Sequence, residues 1–131
     1  MNRNISLVVI DDVDHVRHML TSMLTLDGFD VVGAGADAAE GIALTEEHRP
    51  NVVVIDYMMP GVNGLEASRR IRALIPDQKI ILYSAYLNDD LKKEAKEAGV
   101  SICVGKVEGL ETLQRNIASL CLTVGKPPLR R

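Results

Sequence analysis

The sequence predicts an α/β fold, a three-layer (βα)5 sandwich with one parallel five-stranded sheet between two layers of helices. Short runs of apolar, mostly β-branched residues alternate five times with longer segments of helical spacing along the 131 residues. The short runs are apolar throughout instead of alternating with polar residues, which is typical of parallel strands covered on both faces. Five βα units in succession then imply right-handed crossover connections.

The five strands are expected at the five β-branched runs, each of the length that is usual for a strand. The runs are SLVVI (6–10), DVVGA (30–34), VVVI (52–55), KIILY (79–83) and SICV (101–104).

Helices are expected between the strands because apolar residues recur there at spacings of three and four. The stripes expected to face the sheet are Val16, Met19, Leu20, Met23 and Leu24; Leu65, Ser68, Ile71 and Ile75; and Leu110, Leu113, Ile117, Leu120 and Cys121. Asp37 with Glu40 resembles a capping box, and Asn88 is typical of an N-cap. Gly28 and Gly99 stand where a left-handed residue commonly ends a helix.

The segment 88–98 is charged, and only Leu91, Ala95 and Ala98 in it can face a core. We expect this helix to be among the least stable parts of the fold. The domain is expected to span residues 1–122, because TVGKPPLRR (123–131) has the composition of a tail or linker.

Charge and hydropathy exclude several classes of protein. A net charge of −3 gives no electrostatic footprint for nucleic acid or for an anionic membrane surface. No apolar run approaches the ~18 residues of a membrane span, so a cytoplasmic protein is expected. Cys103 and Cys121 lack metal-ligand spacing and are interpreted as small buried residues in a reducing compartment.

Polar residues follow four of the five predicted strands, at the edge where open parallel sheets bind ligands. The first strand ends in Asp11 and Asp12, the third in Asp56, the fourth in Ser84 and the fifth in Lys106. Any one of these residues alone would be interpreted as a cap, a turn residue or a solvated side chain. Together they predict a functional site.

Three carboxylates at one edge repel each other, and a divalent cation with oxygen ligands, such as Mg²⁺ or Ca²⁺, would relieve that repulsion. A carboxylate can also act as a nucleophile that forms an aspartyl phosphate. Phosphoryl transfer requires mainly stabilisation of charge on the moving oxygens, which a metal, an ammonium and a hydroxyl provide.

At this point the chain resembles the receiver domain of two-component response regulators across residues 5–122. The resemblance is carried by VVIDD (8–12), DYMMPGVNG (56–64), the Ser84-Ala85 pair and Lys106. It implies the flavodoxin-like strand order 2-1-3-4-5. It also implies a phosphorylation-controlled signalling switch, which assists its own phosphorylation and dephosphorylation but is not otherwise an enzyme.

The resemblance implies that Asp56 is the phosphoacceptor and takes its phosphoryl group from a histidine of a kinase or of a phosphotransfer protein. Asp12 and Asp56 would bind Mg²⁺ (or Mn²⁺) directly, with the backbone carbonyl of Met58 as a third ligand. Asp11 would act through water. An output domain or downstream protein and a homodimer are further partners that the family leaves open.

Two other residues would complete the switch. Lys106 would pair with Asp56 at rest and with the phosphoryl oxygens afterwards. Ser84 would move to hydrogen-bond the phosphoryl group and pull the fourth βα loop inward, shifting the face formed by the fourth and fifth βα units.

The chain departs from the family pattern at two positions. Members usually have a proline with a cis peptide bond after the lysine, but Val107 follows Lys106, so we expect a trans bond or local strain. The usual aromatic residue of the fifth strand is replaced by Cys103. The signal is therefore expected to leave by backbone shifts in 86–98, or with Tyr86 or Tyr83 as a substitute.

Tyr86 and Met58 follow Ser84 and Asp56 by two residues and flank the expected entry of hydrolytic water. Both are bulky, and neither offers an acid, a base or an amide, so a long-lived phosphoryl aspartate is predicted.

Three other functions compete with the switch. A phosphatase of the haloacid dehalogenase type needs an acid at the position of Met58. A flavodoxin-like cofactor domain would place a phosphate at a first loop that here carries Asp11, Asp12 and Asp14, which would repel it. The third alternative is a receiver-like interaction module that is never phosphorylated.

Overall fold

The computed structural model describes the backbone of residues 5–125 and the side chains of residues 5–122. Its five strands form one parallel sheet in the order β2-β1-β3-β4-β5, which confirms the predicted class and strand order. The strands are β1 (Ser6–Ile10), β2 (Asp30–Gly35), β3 (Val52–Ile55), β4 (Lys79–Ser84) and β5 (Ile102–Gly105).

Five helices follow the strands, and a short 3₁₀ turn, Lys106–Glu108, lies between β5 and the last of them. The helices are α1 (Asp14–Leu26), α2 (Ala38–His48), α3 (Gly64–Leu74), α4 (Asp89–Glu97) and α5 (Leu110–Gly125). The predicted domain boundary at residue 122 falls within the last turn of α5 and stays a prediction, and residues 126–131 of the predicted tail lie outside the described residues. Over the described residues, no helix has both the length and the apolar character that a membrane crossing requires.

Each face of the sheet carries its own core. On one face α1 and α5 bury Leu20, Leu24, Leu113 and Ile117 against the sheet. On the other face α2, α3 and α4 cover a larger cluster, which includes Ile71. The central strands β1, β3 and β4 are almost wholly buried, because both of their faces are covered, and this explains their apolar sequences. The edge strands β2 and β5 are only partly buried.

The predicted stripe of α1 is wider than the face that the sheet covers. Leu20 and Leu24 are buried, whereas the side chains of Met19 and Met23 are 51% and 42% exposed, so their assignment to the core is wrong. A helix on a sheet buries only the residues that point straight at it, and Leu20 and Leu24 fill that position, with Val16 packed at the edge.

Two predicted helix starts are confirmed. The Asn88 side chain accepts a hydrogen bond of 2.8 Å from the Leu91 backbone N–H and caps α4. Asp37 caps α2 by accepting from the Glu40 N–H at 2.8 Å. The capping box is incomplete, because the Glu40 carboxylate accepts from the N–H of Ala36 and not from that of the cap residue.

Gly28 and Gly99 have φ angles of 96° and 93°, which confirms the left-handed positions predicted after α1 and α4. Arg49 ends α2 with φ 46°, a left-handed position held by a residue with a Cβ that the sequence did not indicate. Helix α1 begins at Asp14. Its N-cap residue is Val13, whose side chain cannot cap the helix.

Helix α4 buries Leu91 and Ala95, and its C-cap Ala98 is buried as well; these are the three residues that the sequence predicted. Just after α4, the carbonyl of Gly99 accepts a 2.7 Å hydrogen bond from the Arg72 guanidinium of α3. The low stability predicted for α4 stays a prediction.

Candidate functional site

Asp56 and Asp11 are held at the carboxyl edge of the sheet by their own backbones. The Asp56 N–H donates to the carbonyl of Ile10 at 3.0 Å, and the Asp11 N–H donates to that of Gly35 at 3.1 Å. Both bonds continue the pattern of the strands one residue past their ends. The two carboxylates therefore start from fixed positions on neighbouring strands, and both are buried.

The loop after Asp56 turns sharply and returns against it. Gly61 has φ 80°, and the Gly64 N–H donates to the carbonyl of Tyr57 at 2.9 Å. A Cβ atom on Gly64 would overlap the Asp56 carbonyl oxygen and would lie 3.0 Å from the Tyr57 Cα. Asn63 then caps α3, because its side chain accepts from two backbone N–H groups of the first turn. Gly64 thus permits the close return of the chain against Asp56.

Asp11, Asp12 and Asp56 come together as predicted. Each offers a carboxylate oxygen, and the three oxygens lie within 4.8 Å of one another. Asp12 Oδ1 is buried and has no hydrogen-bond partner, whereas Asp11 Oδ1 accepts from the Val13 N–H at 3.0 Å. A buried carboxylate oxygen without a partner in an all-oxygen donor set fits a hard divalent cation.

Lys106 is the cation of this cluster. Its Nζ lies 3.4 Å from Asp11 Oδ2 and 3.6 Å from Asp56 Oδ1. The resemblance implied a pair with Asp56, which is present, and the ammonium also lies close to Asp11. One ammonium does not neutralise three carboxylates, so the cluster keeps a negative charge.

The pKa of Asp56 is raised above its ordinary value. Burial is the main cause, and the neighbouring charges of Asp11 and Asp12 raise this pKa further. Lys106 and the backbone N–H of Tyr57 act in the opposite direction and favour the carboxylate. The surroundings of Asp56 therefore disfavour its ionised form, and a cation bound beside it would favour that form.

Ser84 lies at the end of β4 with its side chain fully buried. Its hydroxyl donates to the carbonyl of Tyr86 and accepts from the N–H of Tyr86, both at 3.1 Å. These hydrogen bonds are made within the β4–α4 loop and not with the carboxylates. The hydroxyl would have to leave this loop in order to reach a group on Asp56.

Met58 and Tyr86 lie on the two loops that follow β3 and β4. Their side chains are 58% and 71% exposed. Both loops begin at the carboxyl edge of the sheet, next to the carboxylate cluster. Their effect on a phosphoryl group and the metal contact of the Met58 carbonyl stay predictions.

The chain after β5 is held without a proline. Cis peptide bonds are absent from the described residues, so the Lys106–Val107 bond is trans. The Glu108 carboxylate accepts from the Gly105 N–H at 2.8 Å and closes the 3₁₀ turn. Val107 is 91% exposed, so the presence of valine where the family usually has proline does not affect the packing of the core.

Cys103 and Tyr83 lie on opposite faces of the sheet. Cys103 is half-buried against the cluster under α4, and burial raises the pKa of its thiol. Tyr83 is buried in the cluster under α1 and α5. Tyr83 thus cannot occupy the place of the missing aromatic residue, whereas Tyr86 is exposed on the loop between β4 and α4. Both cysteines are free, but each is only partly buried, so their interpretation as buried residues is wrong in degree.

Sequence reasoning missed Arg17, which organises the acidic loop. Its guanidinium donates to the carbonyl of Asp11 at 2.8 Å and to the carboxylate of Asp14 at 2.6 Å. The Asp14–Arg17 spacing of three residues on a helix was the available signal, but it indicates a surface pair equally well. Only the fold shows that the same guanidinium reaches the backbone of Asp11.

Comparison with known proteins agrees with this geometry. The chain is 34% identical over 114 residues to the response regulator GacA of Pseudomonas aeruginosa, a match that covers 86% of this chain and 53% of GacA. It is 32% identical over 93 residues to the chemotaxis protein CheY of Thermotoga maritima, covering 71% of this chain and 78% of CheY. The chain thus spans about half the length of GacA.

A DNA-binding response regulator of the LuxR family from Staphylococcus aureus has a similar structure, with a TM-score of 0.82 and 27% sequence identity. That match covers 88% of this chain and 98% of the other. The family model described as the response regulator receiver domain matches residues 7–118, nearly all of the part that forms the sheet and its helices. The chain therefore belongs to the response regulator receiver domain family.

Proposed function

We propose that this domain is a signalling switch in which Asp56 accepts a phosphoryl group from a phosphohistidine of a kinase or a phosphotransfer protein. The observation that carries the proposal is the arrangement at the sheet edge. A buried aspartate lies in one cluster with two further carboxylates and a lysine, and its carboxyl pKa is raised by burial and by its acidic neighbours.

The metal in this proposal is Mg²⁺ or Mn²⁺. Asp12 and Asp56 would bind it directly, with the Met58 carbonyl as a third ligand, and Asp11 would act through water. When bound, the ion neutralises the carboxylates and the oxygens of the transferred group. Asp12 supports this assignment, because one of its oxygens is buried without a hydrogen-bond partner.

In the transfer step, an Asp56 carboxylate oxygen attacks the phosphorus of the phosphoimidazole. An O–P bond forms, the P–N bond breaks, and its electron pair leaves on the imidazole nitrogen, which is protonated. Lys106 lies within 3.6 Å of the attacking carboxylate and compensates charge on the phosphoryl oxygens. No oxidant or second cofactor is needed.

The switch element is the β4–α4 loop. To bond the phosphoryl group, the Ser84 hydroxyl gives up its two bonds to the Tyr86 backbone, which frees the loop to move towards Asp56. Helix α4 follows this loop. Together with its C-cap it buries three side chains among the described residues, so shifting it costs little free energy. Cys103 offers no aromatic rotamer, so the loop backbone and the exposed Tyr86 transmit the change.

Signalling rather than turnover is the function of the domain, which assists only its own phosphorylation and dephosphorylation. The domain ends near residue 122, and the shifted face of α4 and β5 contacts an output domain, a downstream protein or a second copy of the chain. We expect this domain to make no direct contact with nucleic acid, since its net charge of −3 gives no electrostatic footprint for phosphates.

The test is incubation of the protein with a small phosphoryl donor, such as acetyl phosphate, in the presence of Mg²⁺. We expect a mass increase of about 80 Da that peptide mapping places on Asp56. An excess of chelator, with the same donor, is expected to prevent it. A wild-type protein that gains no mass from small donors or from histidine kinases would instead favour the unphosphorylated interaction module.

We also predict that the phosphoryl group, once formed, is lost over hours and not minutes. Met58 and Tyr86 offer no group that can orient a hydrolytic water. Met58→Asn introduces an amide at that position and is expected to shorten the half-life several-fold, while Met58→Leu, the matched apolar control, should leave it unchanged. Decay of the mass adduct after donor removal measures this, and fast loss from the wild type would contradict the prediction.

A further inference from the structure

Lys106 has a third neighbour besides the two carboxylates. Its ammonium lies over the ring of Tyr83, with 5.7 Å between Nζ and the ring centroid. This distance is within the range in which the negative face of an aromatic ring attracts a cation.

The fold brings the two residues together through strand alternation. Tyr83 of β4 is paired with Val104 of β5, and both belong to the core cluster under α1 and α5. Ile102 belongs to the same cluster, and because Gly105 has an extended backbone, Lys106, the residue directly after β5, starts on the same face as Val104. The Lys106 side chain therefore leaves β5 on the side where the Tyr83 ring lies.

The two carboxylates alone do not fix the position of the Lys106 ammonium. Its distances to Asp11 and Asp56, 3.4 Å and 3.6 Å, are longer than those of a close charge-assisted hydrogen bond, about 2.8 Å. The next residue, Val107, is exposed and lacks the ring constraint of a proline. A lysine with four rotatable bonds needs another contact if its ammonium is to stay between two carboxylates.

Tyr83 is suited to supply that contact. The residue is 6% exposed and packed within the core, so its ring has a fixed position. Burial raises the pKa of its phenol, and the ring therefore stays neutral at physiological pH. A fixed neutral ring attracts the ammonium without competing with the carboxylates as an anion.

We propose that Tyr83 is a positioning residue, whose ring holds the Lys106 ammonium between Asp11 and Asp56 in readiness for the phosphoryl group. The inference rests on the proposed phosphorylation of Asp56 and adds to it a residue that never touches the phosphoryl group. It also gives the aromatic residue of β4 a function separate from that of the missing aromatic residue of β5.

The experiment compares Tyr83→Phe, which keeps the ring, with Tyr83→Leu, which removes it. With acetyl phosphate and Mg²⁺, we expect the rate constant for adduct formation to stay within about twofold of wild type for Phe and to fall about fivefold for Leu. The proton chemical shifts of the Lys106 ε-methylene, measured without donor, report the ring directly. They are expected upfield in wild type and Phe and at ordinary values in Leu.

A double-mutant cycle separates positioning from general destabilisation. In a Lys106→Ala background, Tyr83→Leu should slow adduct formation no further, because the group that the ring positions is gone. If Tyr83→Leu does not fold, Tyr83→Met keeps a comparable volume without a ring and replaces it.

Two results would overturn the inference, namely a Leu variant that reacts as fast as wild type, or one that slows reaction equally with and without Lys106. Absence of any adduct in wild type would instead count against the proposed function, and the methylene shifts would still show whether the ring holds the lysine.

Discussion

Asp56→Asn is expected to gain no phosphoryl adduct and yet to unfold at a higher temperature than wild type in metal-free buffer. The adduct is lost because an amide is not the nucleophile that a carboxylate is. The stability rises because the wild-type domain buries the Asp56 charge beside Asp11 and Asp12, which raises the carboxyl pKa. We expect an increase in Tm of a few degrees, about 2 to 5 °C for a domain of this size.

The pH dependence has a definite sign. The pKa of Asp56 is higher in the folded domain than in the unfolded chain, so the folded state binds this proton more tightly. The contribution of Asp56 to stability is therefore most favourable below the unfolded pKa and declines as the pH rises through the raised folded value. The difference in Tm between Asp56→Asn and wild type should accordingly be large at neutral pH and shrink towards acidic pH.

With Mg²⁺ bound, the wild type should unfold at a higher temperature than Asp56→Asn. Bound Mg²⁺ stabilises the wild type by RT ln(1 + [L]/Kd), about 2.7 kcal/mol at a hundredfold excess over Kd, and the Asn variant lacks one of the ligands. Thermal unfolding with Mg²⁺ or with chelator measures this, and Glu47→Gln is a matched control on the exposed surface of α2. An Asn variant that is less stable than wild type without metal would show that Lys106 already compensates the buried charge.

Gly64→Ala is expected to destabilise the domain by roughly 3 kcal/mol, against the usual direction for alanine in a helix. The added Cβ would overlap the carbonyl oxygen of Asp56, and backbone atoms cannot rotate aside as a flexible side chain can. The loop must then open, which moves Asp56 away from the metal site. Chemical denaturation measures the loss in unfolding free energy, and the rate of adduct formation should fall with it.

Gly61→Ala is the matched control in the same loop. Nothing lies within 4 Å of a Cβ at this position, so the change tests only the left-handed backbone, at a cost of about 1 kcal/mol. A Gly64→Ala variant no less stable than Gly61→Ala would mean that the loop does not return tightly against Asp56.

The periodicity of the chain was sufficient to predict the fold class and the strands. Uniformly apolar runs require a sheet covered on both faces, and the chemistry of the site follows from which residues come next. Asp56 directly follows β3 in both the prediction and the structure for this reason. Periodicity was less informative about how much of a helix surface is buried. Met19 and Met23 show this, because the extent of the buried face depends on how α1 packs on the sheet.

The sequence by itself thus predicted the strand order, through the family it belongs to, and the candidate site residues Asp11, Asp12, Asp56, Ser84 and Lys106. Only the tertiary structure decided where those side chains point. It placed Lys106 between Asp11 and Asp56 and directed the Ser84 hydroxyl into its own loop. It also brought in contacts from Arg17, Glu108 and Tyr83. The physical reason is that strand ends follow from local patterning, whereas side chains beyond them take directions set by loops and by packing between residues distant in sequence.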